Sequence, residues 1–413
     1  MWDFVLLRVR AHRLLLAAAV LAVLLTTSVL AMLSAFSGAI GDASLRHVLR
    51  TRDAAATALV VRADVPATGR EAAAAAVRAS TDRAFDGLPV HRQSLVTSGA
   101  YALPGTDRDR PDLTEFADLD RSEVTLTAGR LPRAAAGRTV EAALPQTAAQ
   151  QLKLEPGDRL VLTDRLGGKK LTVELTGVYR PSRPRSPYWT LDQLGGHGVQ
   201  KVTFTTYGPL LADPSVLAGG RLSSGRSAWL AMADFGTVTT GRIDALRDTA
   251  RAAATELEHA PALSGSVTVD TGLPDTLTRA ERALLVSRST LLIVALQLVL
   301  LAGYALLLVA RLLSAERAGE TWTLRARGAS GARIASLAAR EALLLALPAA
   351  VGAPLLAGPL TRLVASQGAL SRIGLHLDVG PGDPAVWLVG VAVAAGCALA
   401  VTLPALTARG PAG

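Results

Sequence analysis

Phosphoryl transfer, hydrolysis and metal chemistry each need particular residues at particular spacings, and this chain offers few of them. No Gly-x-x-x-x-Gly-Lys-Ser/Thr loop is present to cradle phosphates. Gly167-Gly168-Lys169-Lys170 stands between two alternating segments and reads as a hairpin turn. The six histidines (12, 47, 91, 197, 259, 376) are scattered, with no His-Glu-x-x-His pattern and no cysteine partners for zinc. A Gly-x-Ser-x-Gly nucleophile elbow is also missing. Asp107, Asp109 and Asp112 alternate but lack the glycine and terminal Glu of a calcium loop, so they read as a solvated acidic loop. The chain is therefore expected not to be an enzyme and to bind no cofactor itself. Any ATP it uses belongs to a partner subunit.

One stretch is richer than its surroundings require. From Arg311 to Glu341 an acidic helix-length segment carries Glu316 and Glu320 at i, i+4, hence on one helix face. Leu324, Arg325 and Arg327 follow, then a break at Gly328-Ala329-Ser330 and a second helical segment ending at Glu341. A loop that only joined two helices would need a few polar residues. This one reads either as a solvated, positively charged inner loop or as a docking element for a cytosolic partner.

The elements that hold it are apolar. Half the 413 residues are hydrophobic but only 4% aromatic, and the apolar residues cluster in four runs free of charge and histidine: 14–41, 289–310, 342–361 and 384–408. An apolar helix of about 20 residues crosses the hydrocarbon core, so each run is long enough. Expected spans are 14–36, 289–310, 342–361 and 384–408. The first run is too long for a signal-peptide core and lacks a clean Ala-x-Ala site. The runs contain no Asp, Glu, Lys, Arg or His, which argues against an ion-coupled carrier.

Charge supplies the orientation. The net charge is +9, and only four of the 43 basic residues are lysine. Residues 1–13, the 311–341 loop and the 409–413 tail together hold ten Arg against four acidic residues, whereas 37–288 is nearly balanced. Positive residues in short loops stay in the cytoplasm, which puts both termini and the 311–341 loop inside and the large 37–288 segment outside the cell membrane. The 362–383 loop is then a short outer one, and 1–13 an amphipathic stretch on the inner leaflet. No strongly basic surface is interleaved with aromatics, so nucleic acid is not an expected partner. The lone Cys397 can form no intrachain disulfide, leaving the outer domain to fold on its core alone.

Within the outer segment an order recurs. Ala58–Arg62 is strand-like, Thr68-Gly69-Arg70 opens an Ala-rich helix to about Phe85, and Val90–Val96 is strand-like. Later Trp229–Ala233, Thr240-Gly241-Arg242, a helix to about Glu258 and a strand over Ser264–Val269 repeat the sequence of events. Each threonine is expected to N-cap its helix. The units (44–117 and 228–277) read as halves of one α+β layer, interrupted by a β-rich insert at about 118–227. Period-two alternation in the insert predicts strands at Val124–Thr127, Arg159–Thr163, Leu171–Leu175 and Val202–Thr206. Thr278–Arg288 is expected to be a stalk helix entering the second span, and the first span to extend through Arg50. The fold class is thus an α-helical membrane protein with four transmembrane helices and a large extracytoplasmic α+β domain carrying a β-rich insertion.

Leu324-Arg-Ala-Arg-Gly-Ala-Ser330, followed by Ile334 and by Glu341 at the start of the third span, resembles the signature of FtsX-like/MacB-type ABC transporter permeases. In the insert, Arg130-Leu-Pro132, Val140–Leu144, Leu152–Asp158 and Thr176-Gly-Val178 resemble their outer core domain, and in the inner motif Arg327 stands where an apolar residue is commoner. The resemblance implies a permease subunit coupled through Glu316–Ser330 and Glu341 to a separate cytosolic ABC ATPase. ATP-driven closure would then reshape the outer domain (mechanotransmission) to export or extract a peptide, lipid-linked or antibiotic substrate, or to signal mechanically. It also implies either a homodimer or a second permease half. The same topology would serve an extracellular sensor with a transmembrane relay and no transport activity.

Overall fold

The computed structural model describes residues 13–52, 54–105, 111–134, 139–263 and 265–316, together with isolated helical positions at 351, 352, 355, 359, 387, 388, 391, 392 and 395. It divides into two compact units, Arg46–Ala280 and the combination of Met1–Leu45 with Glu281–Gly413. Apart from those isolated positions, the third and fourth expected spans, the loops flanking them, Cys397 and residues 1–12 lie outside the described residues.

The chain enters through α1 (Arg13–His47) and a π-helical turn, then forms β1 (Leu59–Ala63), α2 (Arg70–Ala84) and β2 (Val90–Ser98). Next come β3 (Tyr101–Ala102), β4 (Leu113–Asp118), β5 (Val124–Gly129), β6 (Thr139–Pro145) and α3 (Gln146–Leu152). They are followed by β7 (Arg159–Asp164), β8 (Lys170–Pro181), β9 (Val199–Lys201), β10 (Thr205–Leu211) and α4 (Pro214–Ala218). The last elements are β11 (Ser224–Ala233), α5 (Ile243–Glu258), β12 (Thr268–Thr271) and α6 (Leu273–Glu316).

The two recurring units do build one layer, and they interleave. Its strand order is β12-β1-β11-β2 with every neighbour antiparallel, so each unit contributes alternate strands. Two β-α-β units in that order form a ferredoxin-like arrangement. Both helices are amphipathic at helical spacing: α2 buries Ala73, Val77, Ser80, Thr81 and Ala84, and α5 buries Ile243, Leu246, Ala250, Ala253 and Leu257. They pack on each other and against the sheet. The opposite sheet face carries Val60, Leu95, Ala228 and Leu230, which pack with Tyr188, Trp189 and Leu191 from the segment after β8. With both faces covered, the strands read as apolar runs rather than strict alternation.

The threonines do not cap. Thr68 and Thr240 sit within short 3-10 turns, and the α-helix cap positions fall to Gly69 and Arg242, neither with a side-chain cap bond. A 3-10 turn ahead of a helix shifts the first helical residue beyond the hydroxyl's reach. Arg242 reaches instead across to Asp86 at the end of α2, donating to its carboxylate and, at 2.7 Å, to its carbonyl. The last strand also moves, from Ser264–Val269 to Thr268–Thr271.

The β-rich region is a closed barrel. Pairings run β4–β3, β3–β7, β7–β8, β8–β6, β6–β10 and back to β4, so six strands return on themselves; β5 and β9 pair on the outside. The interior holds Phe116, Val140, Leu144, Leu162, Val173, Leu175 and Leu210, with Tyr101 edge-on to Phe116 at 5.3 Å. Strands β3 and β4 come from upstream of residue 118, and β4 also pairs with β2, which makes it the seam between layer and barrel. Gly167-Gly168 makes the expected β7–β8 turn, Gly168 at φ +65°. Val202–Phe204, by contrast, is the turn between β9 and β10 rather than part of a strand. Alternation of Val and Thr is the same in a β-branched turn as in a strand, so periodicity could not separate them.

Candidate functional site

Of the residues expected to couple to an ATPase, Glu316 is the last residue of α6. Glu320, Leu324, Arg325, Arg327, Gly328, Ala329, Ser330 and Glu341 lie outside the described residues. What the structure supplies is the element leading to them. Helix α6 runs unbroken for 44 residues, about 66 Å at 1.5 Å per residue. It begins at Leu273, before the Thr278 expected from sequence, because Pro274 and Asp275 start a helix where they would break one further along. Thr271 Oγ1 accepts the Leu273 N–H at 3.3 Å, and Leu273 and Leu277 are fully buried. Further along, Leu292, Ile293, Leu296, Leu300 and Leu301 are more than half exposed. A helix whose apolar side chains stay this exposed among the described residues has the character of a bilayer span. Among the described residues, Thr27–Thr51 and Leu273–Leu301 are the two stretches long and apolar enough to cross a membrane.

Both long helices connect to the layer rather than the barrel. Helix α1 leads into β1 and α6 leaves β12, and those two strands are hydrogen-bonded neighbours. Arg46, near the end of α1, donates through Nε to Val238 O at 2.8 Å, ahead of α5. Gly272 donates to Ala56 O at 2.8 Å, and a Cβ at Gly272 would lie 2.8 Å from that oxygen, so the approach needs glycine.

The layer's second face holds a polar cluster that sequence reasoning missed. A strap, Ser186–Gly198, buries Tyr188, Trp189, Leu191 and Leu194. Tyr188 Oη accepts the Asp120 N–H at 2.8 Å, Arg62 Nη2 donates to Thr190 O at 2.7 Å, and Thr147 Oγ1 donates to His197 O at 2.7 Å. Inside the strap the buried Asp192 accepts from Leu194 N at 3.1 Å and from Gly196 N at 2.7 Å. Burial raises the Asp192 carboxyl against the pull of those two N–H groups. On β4, the partly buried Glu115 is pushed up to about 7, first by burial and then by the Asp192 charge, with Arg226 opposing. The Tyr179 hydroxyl, fully buried beside them and held well above its usual range by burial, donates to Pro209 O at 2.8 Å. Glu115 falls in an apolar strand, and Asp192 precedes three glycines in seven residues. The second was a turn signal the sequence did offer.

Among the described residues no group of His, Cys, Asp and Glu is arranged to hold a metal ion. Residues 292–411 match the FtsX-like permease C-terminal family. A crystal structure of a domain assigned to a permease protein from Porphyromonas gingivalis is 10% identical, covers 52% of this chain and 89% of its own, and superposes with a TM-score of 0.24. No curated protein matches. The family match begins inside α6 and takes in every residue of the expected coupling element, so the similarity to FtsX-like permeases is carried by residues 292–411.

Proposed function

We propose that the chain is a MacB-type permease subunit with four spans, both termini cytoplasmic and residues 37–288 outside the cell membrane. Its stroke is mechanical: a separate ATPase grips Glu316–Ser330 and Glu341, and α6 carries the displacement outward. One observation carries this reading. A single helix joins a residue locked in the outer layer, Leu273, to Glu316 at the edge of the coupling element, with no break between. A rigid rod transmits a shift at one end to the other, whereas a jointed loop would absorb it. Since α1 and α6 reach the neighbouring strands β1 and β12, relative motion of the helices would shear that pair. The chain would work as a homodimer or with a second permease half, binding no cofactor and relying on ATP held by the ATPase. Its cargo would be a peptide, a lipid-linked molecule or an antibiotic that engages the outer domain without traversing the bilayer.

The test is ATP turnover by the cognate ATPase with the full chain in nanodiscs. Replacing Glu316 and Glu320 by Gln, or Gly328 by Val, is expected to abolish the permease-dependent change in turnover. Unchanged binding and turnover in both variants would overturn the coupling assignment.

A further inference from the structure

Two clefts lie along α2, and they differ in how their polar groups are paired. Asp82, Arg83, Asp86 and Glu256 line the one between α2 and α5, and each has a partner: Arg83 pairs with Glu256, Asp82 with Arg92 and Asp86 with Arg242. The second is a cavity of about 150 Å³ between α2 and the sheet. Ala74 on α2 and Ala231 on β11 both line it, and side chains this small leave the space between helix and sheet unfilled. Leu59, Ala231 and Arg92 are paired neighbours across β1, β11 and β2, and Val61, Trp229 and Ser94 form the next row on the same face. On α2, Ala74, Arg78 and Asp82 recur at i, i+4 along the edge that meets β2, where Asp82 pairs with Arg92.

The floor of this cavity is apolar and its rim donates. Leu59 and Val77 are buried, Trp229 is half-buried, and Arg78 and Ser94 are exposed. Arg92 gives its Nε to Thr81 Oγ1 at 3.0 Å and is neutralised by Asp82. The Arg78 guanidinium, the Trp229 indole N–H and the Ser94 hydroxyl have no partner among the described residues. Arginine and indole can only donate, so what completes this rim is an acceptor, and Arg78 is its uncompensated charge. An apolar pocket with such a rim fits an anion carried on an apolar body. The volume lies well below the roughly 300–1,000 Å³ of sites for drug-sized ligands, so that body is small.

We propose that this cavity binds a small monocarboxylate with a branched or aromatic apolar body, as a free acid or as the C-terminal end of a peptide. The carboxylate takes the Arg78 guanidinium and the Ser94 hydroxyl, and the body lies against Trp229 over Leu59 and Val77. The ligand would join α2 to β2 beside the Arg92–Asp82 pair, filling the gap that the two alanines leave. The proposal is independent of any ATPase, so it can fail while the coupling proposal stands.

Calorimetric titration of the full chain in nanodiscs tests it, with the heat of empty nanodiscs subtracted. Isocaproate is expected to bind saturably in the millimolar range or below. Its neutral amide has the shape without the charge, and acetate has the charge without the body. Each should bind about tenfold more weakly or worse, through loss of a charge-assisted hydrogen bond or of buried carbons. N-Acetyl-leucine separates the sources: affinity equal to isocaproate's extends the site to peptide ends, and its exclusion restricts the site to free acids. Arg78→Gln, on an exposed side chain, should weaken isocaproate about tenfold. Ala74→Leu should fill the cavity and abolish binding while the urea midpoint is kept or raised. No saturable binding of isocaproate, equal binding of its amide, or wild-type affinity in both variants would overturn the site.

Discussion

The ferredoxin-like layer and the barrel bury comparable apolar strands by opposite means. The barrel closes on itself, so each strand is paired on both sides and its interior is covered by its own strands. The layer is open and borrows its cover: α2 and α5 on one face, the Ser186–Gly198 strap on the other. The polar groups follow the same division. The barrel core is almost wholly apolar, whereas the layer's covers carry the polar ties Arg83–Glu256, Arg242–Asp86 and Arg62–Thr190 O. Exposed ion pairs add little to the apolar faces these covers bury, whereas the barrel's apolar core is enclosed by its own strands. Both long helices attach to the layer. Under the proposed coupling, the part of the domain that would receive motion is thus the part with separate covers.

The largest effect that could break this contrast comes from the barrel interior. Phe116 is fully buried against Tyr101, so Phe116→Ala should cost about 3–5 kcal/mol through lost burial and an unfilled cavity. Exchange should rise on β6, β7 and β8 while α2 and α5 keep their protection. If layer and barrel lost protection together in urea titration, they would be one cooperative unit and the contrast would be wrong.

A smaller effect, of opposite sign, belongs to Glu115. Its carboxyl sits at about 7 in the fold against 4.5 for the ordinary group. The folded state therefore binds the proton more tightly, and this contribution is fully present below about pH 4.5 and is lost as pH rises to about 7. At 1.36 kcal/mol per unit, the loss is at most about 3.4 kcal/mol. Glu115→Gln should flatten the pH dependence of the unfolding free energy over that range and leave the mutant more stable than wild type at pH 8. A mutant less stable at pH 8 would mean that the ionised carboxylate serves the fold.

Much of this division could be read from residues, and the unread part has a common cause. Apolar runs such as Leu59–Val61 and Leu230, and the i, i+3/i+4 spacing in α5, are local signals, and they located both β-α-β units. That the units alternate within one sheet is a pairing between strands about 170 positions apart, which no local pattern encodes. Tyr101–Ala102 is too short to show alternation, yet it closes the barrel. The coupling element was legible because its chemistry is contiguous in sequence. Glu115 and Asp192 were not, because they meet only after β4 and the strap have folded together.

The smallest effect separates the two kinds of cover within the layer. Arg83 Nη2 lies 2.6 Å from Glu256 Oε1, with the side chains 60% and 49% exposed, and Ser80 adds a hydrogen bond to Glu256 at 3.3 Å. Exposed pairs of this sort contribute about 0.5 kcal/mol and weaken with salt. Arg83→Met keeps the apolar stem on α2 and should cost no more than that at low salt, and nothing measurable in 0.5 M NaCl. What holds α2 to α5 is then Val77, Leu246 and Ala250, and the ion pair sets only their angular register. A loss of several kcal/mol that persisted at high salt would mean that the helix face is fixed by charge. The layer would then resist displacement from both sides, and the yielding part would have to be sought at the β2–β4 seam.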